Sequence, residues 1–148
     1  MSAVPVLTPG EITIYIQDRP ELNYLLTGQE FSPAQIDLAI SLALDEFNVA
    51  IQPVTTFQLW NFPSKSILLY GTLAKLLAGQ AALYARNQMD YSDGGLTIPI
   101  EERYPLYQQM AGMYQTQFQT MGSAYKVNMN MQDGYGGGFS EYGGMPLW

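Results

Sequence analysis

The chain has 148 residues, enough for one domain, and only 13% of its side chains are charged while 47% are hydrophobic; ordinary globular domains carry roughly 25% charged residues. It contains no cysteine and no histidine, which excludes disulfide scaffolds, thiolate and imidazole metal centres, cysteine nucleophiles and Ser–His–Asp relays. Thirteen acidic residues against six basic ones give a net charge of −7, which argues against a protein whose affinity rests on neutralising phosphates but not against a sleeve through which nucleic acid passes.

Residues 1–30 read as an N-terminal arm. Pro5, Pro9 and Gly10 punctuate its start, and Ile12, Ile14 and Ile16 then alternate with Thr13 and Tyr15. That alternation predicts a short strand over Glu11–Ile16. Asp18, Arg19 and Pro20 end it, because a proline disfavours helix at the residue before it. Glu21–Leu26 suits one short helical turn closed by Gly28. Such an arm either pads the core of its own chain or adds as a strand to a neighbouring copy. The first residues hold no basic region followed by an apolar segment, which is consistent with synthesis in a cytoplasm.

A helix is predicted from Ser32, whose side chain can cap the first free amides, with Pro33 at the first helical position and Gln35 completing a capping box. Ile36, Ala39, Ile40, Ala43, Leu44 and Phe47 form its apolar stripe, and Asn48 suits its end. Leu38 and Leu42 widen the apolar surface, so this helix is expected to touch two neighbours. The fifteen residues from Val49 to Pro63 then make a connection that is long for a compact domain. With Phe57, Trp60 and Phe62 in it, this is either an irregular strap packed on the helices or a loop buried against another copy, anchored by Trp60.

The second helix is expected from about Lys65 to Met89, capped by Ser64. Gly71, Ala74, Ala78, Gly79, Ala81, Ala82 and Ala85 permit close backbone approach, and the two glycines would cost about 1 kcal/mol each relative to alanine unless packing offsets them. Ile67–Ala85 is largely apolar, but Lys75 and Gln80 interrupt it, so a buried helix is favoured over a membrane span. Asp93, Gly94 and Gly95 mark a chain reversal. A third helix starts between Pro99 and Pro105, and Tyr104, Tyr107, Ala111, Tyr114, Phe118, Met121 and Tyr125 recur along it at spacings of three and four. These large residues suit antiparallel packing on the small ones of the second helix.

Beyond it, Val127, Met129 and Met131 alternate with Asn128 and Asn130, which predicts a short strand. Gln132–Trp148 holds six glycines among Tyr135, Phe139, Tyr142 and Trp148. The predicted organisation is mainly α: a small bundle of three principal helices over residues 31–128, an extended arm over 1–30, a short strand, and a glycine- and aromatic-rich extended docking tail over 129–148.

Chemistry is sparse. Glu101 and Glu102 are adjacent and point to different sides of a helix or turn, which makes a weak acid pair; Asp45 and Glu46 are adjacent in the same way. Asp90 and Asp93 lack the spacing of a calcium loop, and Gly94 and Gly95 lack the following Lys-Ser/Thr of a phosphate loop. No cofactor, metal or catalytic residue is expected. Low charge, the aromatic loop, the arm and the tail together suit an assembly protein.

Glu30-Phe31-Ser32, Asp45-Glu46-Phe47-Asn48, Asn61-Phe62-Pro63, Leu69-Tyr70-Gly71-Thr72, Ser140-Glu141-Tyr142 and above all the block from Arg86 to Gly95 carry a resemblance. Together they resemble the head-to-tail adaptor, or head-completion and neck, proteins of tailed bacteriophages. The chain is more acidic, and its tail more glycine-rich, than expected for a member whose surface faces DNA. The resemblance implies a structural virion protein that forms a homo-oligomeric ring, expected to be a dodecamer, seated beneath the portal protein in the neck. The ring would join the portal to the next neck or tail protein and line a conduit for double-stranded DNA without reading its sequence. It would contact no membrane. Gly134–Trp148 would dock on the portal, and Pro53–Phe62 would touch the next copy. The interface residues so assigned are Phe57, Trp60, Phe62, Tyr135, Phe139, Tyr142 and Trp148. The competing readings are a tail-terminator, another neck or a baseplate component, and, more remotely, a cell-wall glycan hydrolase with Glu101 or Glu102 as its acid.

Overall fold

Thr8 and Ser32 each start a helix in a computed structural model that describes residues 4–19, 21–22, 28–90 and 103–142. The elements in chain order are α1 (Pro9–Tyr15), α2 (Pro33–Asp45), a π-helical turn (Glu46–Ala50) that prolongs α2, α3 (Lys65–Asp90) and α4 (Arg103–Tyr142). The chain is mainly helical, and no strand occurs among the described residues.

The segment expected as a strand at Glu11–Ile16 is helical. Thr8 Oγ1 accepts from the Glu11 amide and Glu11 Oε2 accepts from the Thr8 amide at 2.9 Å, with Pro9 at the first helical position. This reciprocal cap satisfies donors that would otherwise be orphaned. Ile12 and Ile16 are four residues apart, so the same isoleucines that alternate as a strand also share a helical face. Ile12 is buried completely and Ile14 stays exposed. The arm therefore packs on its own chain: Leu7 and Ile12 belong to the core, and the Val6 amide donates to the Leu59 carbonyl at 2.8 Å. Of the turn expected over Glu21–Leu26, Glu21 and Leu22 form a turn and the rest lies outside the described residues.

The α2 cap stands as expected, with Ser32 and Gln35 exchanging both bonds and Pro33 leading the helix. Phe31 and Ile36 are both buried across it. Leu38 and Leu42, expected to meet a second neighbour, are 61% and 47% exposed.

α3 is long and apolar enough over Lys65–Arg86 to cross a membrane, but more than half of its apolar window is buried against the rest of the chain. It lies between α2 and α4 and packs on both. α4 runs antiparallel to it: Tyr107 lies against Tyr84 with ring centroids 5.3 Å apart, and Phe118 lies against Gly71. Along α4 the inner face carries Ala111, Phe118 and Gly122, while Met121, expected in that seam, is turned outward. A straight helix drifts about 20° per heptad from a strict seven-residue repeat, so the seam passes from Phe118 to Gly122.

The strand expected at Val127–Met131 is part of α4. From Pro105 onward no proline interrupts that helix, and once nucleated it propagates through the alternating residues at little further cost. It continues to Tyr142, so the segment expected to be extended from residue 129 is helical that far. Residues 143–148 lie outside the described residues.

Candidate interaction surface

The long connection after the π turn crosses the end of the bundle as a strap whose residues alternate in and out. Ile51 is buried and Pro53, Thr55, Phe57 and Leu59 are half-buried, while Gln52, Val54, Thr56, Gln58 and Trp60 are exposed. Gln52–Pro53 is a cis peptide. Asn48 pins the strap. Its Nδ2 donates to the Phe57 carbonyl at 2.8 Å, and its Oδ1 accepts from the Phe57 amide and the Thr55 hydroxyl at 3.0 Å each. A side-chain amide is suited to this because it offers donors and an acceptor at one end. Phe57 and Phe62 complete the anchorage by packing on Phe47, with centroids 6.0 and 4.8 Å away.

Lys126 holds the same corner from α4. Its side chain is fully buried, and its Nζ donates to the carbonyls of Phe47, Ile51 and Pro53, the last at 2.9 Å. The ammonium also sits 4.5 Å from the Phe47 ring centroid. Two of these carbonyls lie at the C-terminal end of the α2–π helix, where peptide dipoles leave partial negative charge. Burial pushes the lysine below its ordinary pKa, so these acceptors offset a real cost of keeping it charged.

The acids serve structure as well. Both carboxylate oxygens of buried Asp18 accept backbone amides, from Glu30 at 2.8 Å and Phe31 at 2.9 Å, just after Gln17 turns the chain with a left-handed φ of 55°. Glu46 pairs with Lys75 of α3 and accepts from Gln115 of α4, tying three helices together. Glu11 pairs with Lys65 at 2.6 Å, and that contact, ahead of the bond from Thr8, holds its carboxyl below the ordinary range. Glu30 accepts from Tyr107 at 2.9 Å and from Tyr84 at 3.3 Å. Burial, then the Glu30 carboxylate, raises the Tyr107 pKa well above that of free tyrosine.

Stability follows that shift. A group whose pKa is raised by folding contributes fully below its unfolded value, near 10, and loses its contribution as pH climbs through the folded value. Native stability should therefore fall as pH rises above 10. Tyr107→Phe should flatten that alkaline decline when urea midpoints are compared from pH 8 to 11; an unchanged slope would place the titrating group elsewhere.

Of the residues assigned to interfaces, the structure separates three on the strap. Phe62 is core, 4% exposed; Phe57 is half-buried; Trp60 is 58% exposed, and Val54 on the same strap also faces outward. Tyr135, Phe139 and Tyr142 fall in the C-terminal part of α4, and Trp148 lies outside the described residues, as do Glu101, Glu102 and Asp93. No group of three metal-binding side chains occurs among the described residues. Sequence reasoning missed Asn48, Asp18, Glu46 and Lys126 as organisers of this surface. For Lys126 a signal existed: it follows Phe118 and Gly122 at steps of four, on the inner face.

A second exposed apolar region lies between α2 and α3, a groove of about 370 Å³ floored by Ala39, Leu76 and Leu83, with Leu38 and Leu42 on its wall and Arg86 at one end. No protein family, no curated protein and no solved structure matches this chain.

Proposed function

We propose that the chain is a structural subunit that assembles as a ring at the head-to-tail junction of a tailed bacteriophage, between the portal and the next neck or tail protein. The observation that carries this reading is the strap. Asn48, Lys126, Phe57 and Phe62 fix its inner side, and it holds Trp60 and Val54 outward at 58% and 62% exposure. A large aromatic residue on a braced segment offers binding area with little ordering cost. Further apolar side chains stand exposed on α1, α2 and α4, among them Ile14, Leu38 and Val127, as suits a subunit covered from several sides. Its acidic character suits a conduit that repels DNA and lets it slide. Helical through Tyr142, the segment from Gly134 is the proposed portal-docking end.

Light scattering of the chain with and without portal protein tests this. The wild type should join the portal as a ring, and Trp60→Ala should leave the fold intact while weakening ring formation on the order of tenfold or more. A chain that stays monomeric beside the portal at high concentration would end the adaptor reading.

A further inference from the structure

We propose that two copies of this chain pair through the α2–α3 groove, with the α2 helix of each laid antiparallel on that of the other. The pairing does not rest on the ring reading, because a twofold contact closes on two copies whereas a ring needs a head-to-tail contact.

The groove has a direction. Glu46, just past the end of α2, pairs with Lys75 of α3, while Gln35 near the start of α2 shares the groove with Arg86 near the end of α3. The two helices are thus antiparallel, and Arg86 stands at the α2 N-terminal end. On α2, Leu38, Leu42 and Asp45 follow at steps of four and three, so they form one stripe on a helix of 3.6 residues per turn. All three are exposed.

A twofold axis beside position 40 sets Leu38 against Leu42 of the second copy and Asp45 opposite position 35 of that copy, where Arg86 stands. The same operation brings the second copy's Asp45 to the first Arg86. One register therefore buries both leucines and matches both charges, twice over. Among the described residues neither Asp45 nor Arg86 has an ion-pair partner within the chain, and both are exposed. The occupant that answers this groove in apolarity and charge is the helix that forms its own wall.

Sedimentation equilibrium of the full chain, from micromolar to millimolar, tests the pairing. The wild type should pass from monomer to dimer. Leu42→Glu should raise the dissociation constant on the order of a hundredfold, since each dimer loses two buried leucines, with its circular dichroism unchanged. Asp45→Arg should weaken the dimer on the order of tenfold, and adding Arg86→Asp should restore it. A wild type monomeric throughout, a dimer indifferent to Leu42→Glu, or a charge swap that fails to rescue would each overturn the proposal. A dimer that forms while the portal recruits no ring would leave the pairing standing and remove the virion reading.

Discussion

Replacing Lys126 by methionine is expected to destabilise the chain by about 3 kcal/mol, a fall in Tm on the order of 10 °C for a domain of this size. Methionine keeps most of the stem but brings no donor. The carbonyls of Phe47, Ile51 and Pro53 then face a buried corner without their partner, and each buried polar group left unpaired costs on the order of 1–3 kcal/mol. Relief from burying a charge returns part of that sum, and burial does press on this lysine, so the net stays below the gross loss. The damage should be local before it is global. Hydrogen exchange at the amides of Thr55 and Phe57, which bond to Asn48, should quicken relative to those of α3. A methionine variant as stable as the native chain, with strap amides equally protected, would show that the three carbonyls had never depended on the ammonium.

The parts of the fold legible in the sequence were those decided by neighbours in the chain. Ser32, Pro33 and Gln35 define a helix start within four residues, and Ser64 does the same for α3, accepting from the Ile67 amide. The small residues of α3 and the large ones of α4 announced a close antiparallel pair. The two strand assignments failed for one physical reason: over five or six residues, alternation and helical spacing coincide at positions four apart. Thr8–Glu11 decided the first case, and the momentum of a long helix decided the second. What no pattern displays is a side chain whose partners are backbone atoms far along the chain. Asp18 finds its amides 12 and 13 residues away, and Lys126 its carbonyls more than 70 residues away. The connection between α2 and α3 took the first of the alternatives open to it: Phe57 and Phe62 pack on Phe47 and make it a strap on its own helices, while Trp60 stays exposed.

Phe118→Ala should have the largest effect of any single truncation in the α3–α4 interface, about 4 kcal/mol. The ring is fully buried, its centroid lies 6.5 Å from that of Phe47, and it fills the space that Gly71 leaves open on α3. Removing a buried aromatic ring forfeits transfer energy and leaves a cavity that packed helices close only in part. Gly71→Ala tests the other side of the contact. A methyl group there would meet the Phe118 ring at 2.7 Å and the Ala43 side chain at 3.0 Å, so overpacking should cost about 2 kcal/mol. The informative species is the double variant. With the ring gone, the methyl group added at position 71 no longer collides with it and occupies part of the vacated volume, so the two losses should fall short of their sum by about 1 kcal/mol or more. Urea unfolding with an unchanged m-value measures all three. Strict additivity would mean that Gly71 and Phe118 do not share one contact, and that Gly71 serves something other than the approach of α4.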